Sequence, residues 1–123
     1  MTFRHVAILT SLLFLVLALG WMLCPEQMLT QWGVQYSDGA GLVSRRAAAF
    51  YAGIALMLML ARNAEPSKAR FAVATGVSLA CLILATLGIL EWQSASATAQ
   101  ILVAVCLEII LAAAFLLSNK AKS

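Results

Sequence analysis

The sequence predicts an all-α integral membrane protein: a four-helix bundle with a short interfacial helix after the first span. Its 123 residues are 63% hydrophobic and 11% charged, whereas an average soluble domain is about 25% charged. A globule of this length cannot bury so much apolar surface. The apolar residues also collect into segments close to the roughly 20 residues that a spanning helix needs. We therefore expect one membrane domain covering residues 1–123.

Four spans are expected, at about residues 6–23, 42–61, 71–90 and 98–118. The segments between them carry turn or charge signals that interrupt an apolar helix. These signals are Pro25 and Gly33, Asp38-Gly39, Asn63 to Pro66, and Glu91 to Ser96. The first span resembles a signal peptide only weakly, and we expect it to be retained in the membrane.

A short helix is predicted in CPEQMLTQWG, residues 24–33. Pro25 suits the first turn of a helix, and the closing glycine suits its end. Met28, Leu29 and Trp32 would then share one apolar face. We expect this helix to lie flat at the membrane interface, with a plain structured loop as the alternative.

Basic residues are divided unevenly between the two ends of the predicted bundle. One end holds six of the eight: Arg4, Arg62, Lys68, Arg70, Lys120 and Lys122. The other end holds Arg45 and Arg46 with the acids Glu26, Asp38 and Glu91. Cytoplasmic loops carry the excess of Lys and Arg, so we expect a multi-pass protein of the bacterial inner membrane with both termini in the cytoplasm. Basic residues scattered over loops do not indicate nucleic-acid binding.

Glu108 is an acidic residue in the middle of the fourth span, VAVCLEIILAAA. At about 1.5 Å per residue it would lie roughly 16 Å deep, close to the middle of a core about 30 Å thick. Acidic residues there cost about 2.5 to 3.5 kcal/mol on insertion scales. Ala104, Ala112 and Gln100 recur at helical spacing with Glu108, which predicts that it faces the other helices.

Stripes of small residues predict the packing faces of two other spans. In the third span the stripe is Ala74, Ser78, Cys81, Ala85 and Gly88. In the first span it is Ala7, Ser11, Phe14 and Ala18.

Arg45 and Arg46 lie in SRRAAAFYAG, residues 44–53, at the start of the second span. A span that began after Arg46 would contain only about 15 residues, too few to cross comfortably. The arginines are therefore expected about one turn inside the outer edge. Because Ala49 follows them at helical spacing, we expect both to border the small, bundle-facing side.

These polar residues are predicted to line one site in the outer half of the bundle. Its members are Arg45, Arg46, Glu108, Glu91, Gln100 and Tyr51. The site would bind a ligand, or an arginine and a glutamate would form an ion pair that locks the helices together. Desolvation offsets much of the attraction in such a pair. In a third interpretation, both arginines extend to lipid headgroups.

Residues for catalysis, metal binding or a cofactor are not recognised in the sequence. Cys24, Cys81 and Cys106 are far apart, so no CxxC redox motif or zinc spacing is present. His5 is the single histidine, which excludes a pair of histidine haem ligands within one chain. No Ser/His/Asp set, glycine-rich phosphate loop or paired catalytic carboxylates can be assembled. We therefore expect a protein that is not an enzyme and has no metal or cofactor.

Several stretches resemble a loose group of small bacterial four-span inner-membrane proteins, mostly of unknown function. The resembling parts are Pro25, Gly33, SRRAAAFYAG and CLEIILA. The general shape is also similar to DoxX-like membrane proteins, a resemblance that implies no catalytic residue. Small multidrug transporters are similar in length and span number. They place their essential glutamate in the first span, however, where this chain has no acid.

The expected function is binding of a membrane lipid or small amphipathic molecule, or service as an accessory subunit. A homo-oligomer or a membrane-protein partner is expected. The alternative is a proton-coupled small-molecule transporter that uses Glu108 as its titrating group. A membrane enzyme ranks third, since no catalytic set is visible.

Overall fold

The computed structural model describes residues 2–95 and 97–120, with the backbone alone at Lys120. The chain forms five helices in these ranges, and no strand is present there. They are α1 (Phe3–Leu23), α2 (Pro25–Gln31), α3 (Asp38–Ala61), α4 (Lys68–Gln93) and α5 (Ile101–Lys120). The predicted all-α four-helix bundle is confirmed, and α2 confirms the predicted short helix. Ser96, Lys122 and the side chain of Lys120 lie outside the described residues.

Four of the helices are long and apolar enough to cross a membrane: α1, α3, α4 and α5. Their outward faces carry large apolar side chains, and Phe50, for example, is 75% exposed. Soluble monomers rarely expose extended apolar patches, whereas hydrocarbon suits such a surface. The four helices therefore indicate a multi-pass membrane protein.

Three helices begin after residues whose side chains cap the helix N-terminus, and the pattern of apolar residues does not predict these caps. Thr2, Ser37 and Ser67 precede α1, α3 and α4, and each side chain accepts a hydrogen bond from a backbone N–H in the first turn. Such caps satisfy donors that have no partner within the helix. As a result α3 begins at Asp38, four residues before the expected start of its span.

The helices stand in the order α3, α1, α5, α4. Helix α1 packs against α3, α4 packs against α5, and the two pairs meet where α1 contacts α5. In the described residues α3 and α4 do not pack closely against each other. The bundle is therefore open along one side, between α3 and α4.

Small residues make the close contacts between paired helices, as predicted. Every member of the two predicted stripes on α1 and α4 is buried. Ser11 donates a 2.6 Å hydrogen bond to the carbonyl of Ala55 on α3. Ser78 donates one of 3.3 Å to the carbonyl of Ala112 on α5. The packing faces of α1 and α4 were therefore predicted correctly.

Arg70 ties together the end of the bundle where α1 begins, here called the N-terminal end. Its side chain is only 2% exposed. Nε donates to Oδ1 of Asn119 at 2.8 Å, and the Nη atoms donate to the carbonyls of Ala64 and Ser118. The guanidinium also lies 4.6 Å from the ring centroid of Phe3. One side chain thereby joins α1, α4, α5 and the loop before α4.

Helix α2 covers the opposite end of the bundle, here called the α2 end. Leu29 is buried there, and the ring of Trp32 lies 5.3 Å from that of Trp21. Gly33 takes a φ of +73°, a conformation that favours glycine. Thr98, before α5, donates its backbone N–H to the carbonyl of Trp32 at 2.8 Å. The short helix is therefore fastened to the bundle along its apolar face.

Candidate functional site

A cleft opens between α3 and α4 in the half of the bundle next to α2, and we call it the α3–α4 cleft. Its largest cavity is about 240 Å³ and draws side chains from all five helices or their ends. Aromatic rings and two acids are its main features. These residues are Trp21, Trp32, Tyr51, Glu91 and Glu108.

Two smaller cavities adjoin the first and share residues with it. One, of about 190 Å³, lies between α3 and α4 and has a wholly apolar lining. The other, of about 100 Å³, lies inside the bundle and reaches Glu108. Tyr51 and Leu84 line all three cavities. A polar region near α2 is thus continuous with apolar space between the helices.

Small side chains leave the space that forms the cleft. Ser44 and Ala47 stand on the α3 side, Gly88 on α4 and Ala104 on α5. At these positions the helices approach without large side chains to fill the gap. Native interiors are otherwise packed almost without voids, so unfilled space of this size is a candidate binding site.

Glu108 lies on the wall of the cleft, half-buried. Ala104 lines the cleft and Ala112 is buried, so α5 presents the predicted face to its neighbours. Glu108 is seven residues from the start of α5 at Ile101, or about 10 Å along the helix. It therefore lies nearer to the α2 end than predicted. Among the described residues its carboxyl forms no hydrogen bond or ion pair.

Glu91 and Tyr51 also line the cleft, as predicted. Glu91 is exposed in the last turn of α4, at the mouth of the main cavity. The ring of Tyr51 packs edge-on against Phe14, with 5.2 Å between centroids and an interplanar angle of 87°. Packing of this kind holds an aromatic ring in place. Tyr51 is thus a fixed part of the wall.

Arg45 and Arg46 lie outside the cleft, and the prediction that Arg46 borders the bundle-facing side is wrong. Both side chains are exposed, and in the described structure neither forms an ion pair. The buried face of α3 instead runs through Gly41, Ser44, Ala48, Ala55 and Leu58. Because each residue turns a helix by about 100°, the side chain of Arg46 points to the side opposite Ser44. Their exposure agrees with extension towards lipid headgroups.

Gln100 does not line the cleft either. It was expected there because it precedes Glu108 by eight residues on one helical face. Helix α5 begins only at Ile101, and Gln100 lies exposed in the preceding turn. The helical spacing therefore does not extend to it.

Trp21 and Trp32 are cleft residues that the sequence analysis assigned no role in the site. The only signal for them was their position near the predicted short helix. Trp21 is buried beside Leu29, and Trp21 and Trp32 both line the main cavity. The described lining of the cavity thus combines two carboxylates with three aromatic side chains and includes no Lys, Arg or His.

Comparisons with known proteins do not identify a relative. No family model matches the chain, and neither the curated proteins nor the solved structures contain a significant match. The resemblance to DoxX-like membrane proteins stays a prediction. The function is accordingly inferred from the residues of the cleft.

Proposed function

We propose that this chain is a non-enzymatic membrane protein that binds a small amphipathic molecule in the α3–α4 cleft. The observation that carries the proposal is Glu108, a half-buried carboxyl that faces unfilled space and has no hydrogen-bond or ion-pair partner among the described residues. Polar groups within membrane helices are costly and mark functional sites. A ligand that paired with this carboxyl would offset its cost.

The shape of the cleft suits a ligand with an apolar tail. Ligand pockets typically measure about 300–1,000 Å³ and are mostly apolar with a few polar groups. The main cavity, of about 240 Å³, continues into an apolar one of about 190 Å³. The polar part of the ligand would lie near Glu108, and its tail would extend past Phe14 and Leu84.

The polar part of the ligand is expected to be cationic or to donate hydrogen bonds. Carboxylates accept hydrogen bonds and attract cations, and both Glu91 and Glu108 line the cavity. The faces of tryptophan and tyrosine rings also attract cations. Since no described residue of the cavity lining is basic, an anionic headgroup is disfavoured. This replaces the expected arginine–glutamate site with a site formed by acidic and aromatic residues.

Access from the bilayer follows from the order of the helices. Helices α3 and α4 are the two that do not pack closely in the described structure. The residues lining the apolar cavity come from both of them and from α1. An amphipathic molecule in the adjacent leaflet would thus enter sideways, between α3 and α4.

We further propose a bacterial inner-membrane location with both termini in the cytoplasm. Arg4, Arg62, Lys68 and Arg70 lie at or near the N-terminal end, and positive residues are enriched on the cytoplasmic side. The α3–α4 cleft would then open towards the outer leaflet. Labelling of the exposed Cys24 in intact cells by a membrane-impermeant maleimide tests this orientation. Protection of Cys24 until the cells are lysed would reverse it.

Binding of two probes with opposite charges tests the proposed ligand-binding function. Octyltrimethylammonium and octyl sulfate have the same chain and opposite charges, and each can be titrated into protein-loaded and empty nanodiscs by calorimetry. We expect the cation to bind and the anion not to exceed the empty nanodiscs. Glu108→Gln should weaken cation binding at least tenfold, or about 1.4 kcal/mol, because the amide is uncharged.

Glu65→Gln is the matched control for this experiment. Glu65 is exposed in the loop between α3 and α4, at the N-terminal end and far from the cleft. The Glu65→Gln substitution removes one negative charge, as Glu108→Gln does, and should leave cation binding unchanged. Equal binding of both probes, or unchanged binding by folded Glu108→Gln protein, would refute the proposal.

A proton-coupled transporter is the second candidate, favoured by the carboxyl of Glu108, which is not paired with any residue that the structure describes. A transporter also needs access from the N-terminal end, where Phe3, Leu58 and Phe115 are fully buried. This role would require a second arrangement of the helices. Proton-coupled flux of octyltrimethylammonium in proteoliposomes, lost in Glu108→Gln, would support it. Co-purification of a stable partner without flux would support an accessory subunit.

A further inference from the structure

Three arginines converge on a second cavity, at the N-terminal end of the bundle. It measures about 200 Å³ and is formed by the start of α1, the end of α3, the following loop and the start of α4. Arg4, Arg62 and Arg70 line it, together with one acid, Glu65. We call it the arginine pocket. No residue of the α3–α4 cleft belongs to it.

The charges in this pocket are unbalanced. Apart from Arg70, which is bonded within the fold, Arg4 and Arg62 share the pocket with one described carboxyl, that of Glu65, which forms no ion pair in the described part of the chain. Like charges that line one small cavity repel one another. An anion in the pocket would relieve that repulsion.

Hydrogen bonds between side chains and the backbone hold the walls of the pocket in place. Arg70 donates a hydrogen bond of 3.2 Å to the carbonyl of Ala64, which ties the loop to α4. Ser67 caps α4 by accepting a hydrogen bond from the backbone N–H of Arg70. Because Arg70 is buried and bonded at several atoms, it contributes a fixed positive charge. The ligand must be contacted by the other two arginines.

Arg4 and Arg62 have donors left for a ligand. Arg4 is exposed and makes no hydrogen bond or ion pair in the described structure. Arg62 is half-buried and donates from Nη1 to the carbonyl of Met59, which leaves most of its five N–H donors available. Guanidinium groups bind phosphate oxygens through paired hydrogen bonds.

We infer that the arginine pocket binds a phosphate group, supplied by the headgroup of an anionic lipid. The pocket lies at the ends of spanning helices, the level at which headgroups sit. Leu60, two residues before Arg62, is 73% exposed, and Phe71, directly after Arg70, is 60% exposed, so both offer apolar surface for acyl chains. Basic pockets between spanning helices bind anionic headgroups in this way. The inference does not depend on the function proposed for the α3–α4 cleft.

Native mass spectrometry with defined lipids tests the inference on the full chain. Phosphatidylglycerol and phosphatidylcholine with identical acyl chains are added to detergent-solubilised protein. We expect phosphatidylglycerol to bind at least tenfold more tightly, because its phosphate is not neutralised by choline. The double variant Arg4→Gln/Arg62→Gln should lose this preference. Arg70 is retained in it, so the packing that Arg70 provides is unchanged.

Arg45→Gln/Arg46→Gln is the matched control. It removes two exposed positive charges at the opposite end of the bundle. It should keep the full preference for phosphatidylglycerol. Circular dichroism confirms that both double variants remain helical. An equal loss of preference in both, or no loss in Arg4→Gln/Arg62→Gln, would overturn the inference.

Inorganic phosphate distinguishes the two sources of the phosphate group. Thermal unfolding in detergent is measured with millimolar phosphate against the same concentration of chloride. A lipid site predicts no shift specific to phosphate. A shift that requires Arg4 and Arg62, without preferential binding of phosphatidylglycerol, would overturn the lipid source.

Discussion

The two ends of the bundle are filled in different ways. At the N-terminal end the rings of Phe3 and Phe115 meet edge-on at 6.0 Å, and Arg70 is bonded beside them. At the α2 end small residues leave cavities of about 240 and 100 Å³ beside Glu108. Bulky side chains at one end hold the helices in position, so the other end can keep space between them. We therefore assign stability chiefly to the N-terminal end and binding of the amphipathic ligand to the α2 end.

Removal of Arg70 should have the largest effect on folding. Arg70→Ala removes a buried side chain and leaves Asn119 and two carbonyls without their donor. We expect a loss of about 2–4 kcal/mol in the free energy of unfolding, measured by titration with dodecyl sulfate in mixed micelles. Lys68→Ala, which removes an exposed charge of α4, should cost less than about 0.5 kcal/mol. Similar losses in both variants would show that the buried contacts of Arg70 do not stabilise the N-terminal end.

Gly88 tests how closely helices approach at the α2 end. A methyl group on Gly88 would lie 2.6 Å from Cγ2 of Val105 on α5. We expect Gly88→Ala to destabilise the protein by about 1–3 kcal/mol, because the two helices must separate. Gly76 is the control on the same helix, since nothing lies within 4 Å of an added methyl group there.

Gly76→Ala should be neutral or stabilising by up to about 1 kcal/mol, because alanine favours the helix. Thermal unfolding followed by tryptophan fluorescence compares the two variants. If Gly88→Ala is as stable as Gly76→Ala, then α4 and α5 are also loosely packed at the α2 end.

Thr10 and Ser11 should give the smallest effects, with opposite signs. The hydroxyl of Thr10 is buried without a hydrogen-bond partner in the described structure, whereas that of Ser11 bonds to Ala55. Thr10→Val keeps the shape and removes an unsatisfied group, so stability should be unchanged or higher by up to about 1 kcal/mol. Ser11→Ala should cost about 0.6 kcal/mol. Denaturation in mixed micelles compares them, and a marked loss in Thr10→Val would show that its hydroxyl has a partner.

Part of the candidate site followed from the sequence because one helix face differed clearly from the others. On α5 the residues Ala104, Glu108 and Ala112 recur at a spacing of four among large aliphatic residues, which indicates one face for close packing. Glu91 and Tyr51, two further predicted members of the site, also line the cleft. Glu108 was expected deeper, since the expected span began three residues before the start of α5.

The arginines could not be oriented in the same way. The segment AAAFYAG that follows Arg46 has small residues on most sides of the helix, so spacing alone does not select a buried face. Packing of Ser44 and Ala48 towards α1 selects it and turns Arg46 outward. The burial of Arg70 could not be predicted from the sequence either, because its partners Asn119 and Ala64 belong to other segments of the chain.

The sequence by itself determined the class of the protein, its four spanning helices, the short helix after the first and the packing faces of α1, α4 and α5. These features depend on local composition and on the helical repeat, which a chain carries without reference to distant residues. Tertiary structure alone decided that α3 and α4 stand apart, that Trp21 and Trp32 rather than Arg45 and Arg46 line the cleft, and that three arginines meet at the N-terminal end. Each of these depends on which helices are neighbours, and that choice is made by packing between segments far apart in the sequence.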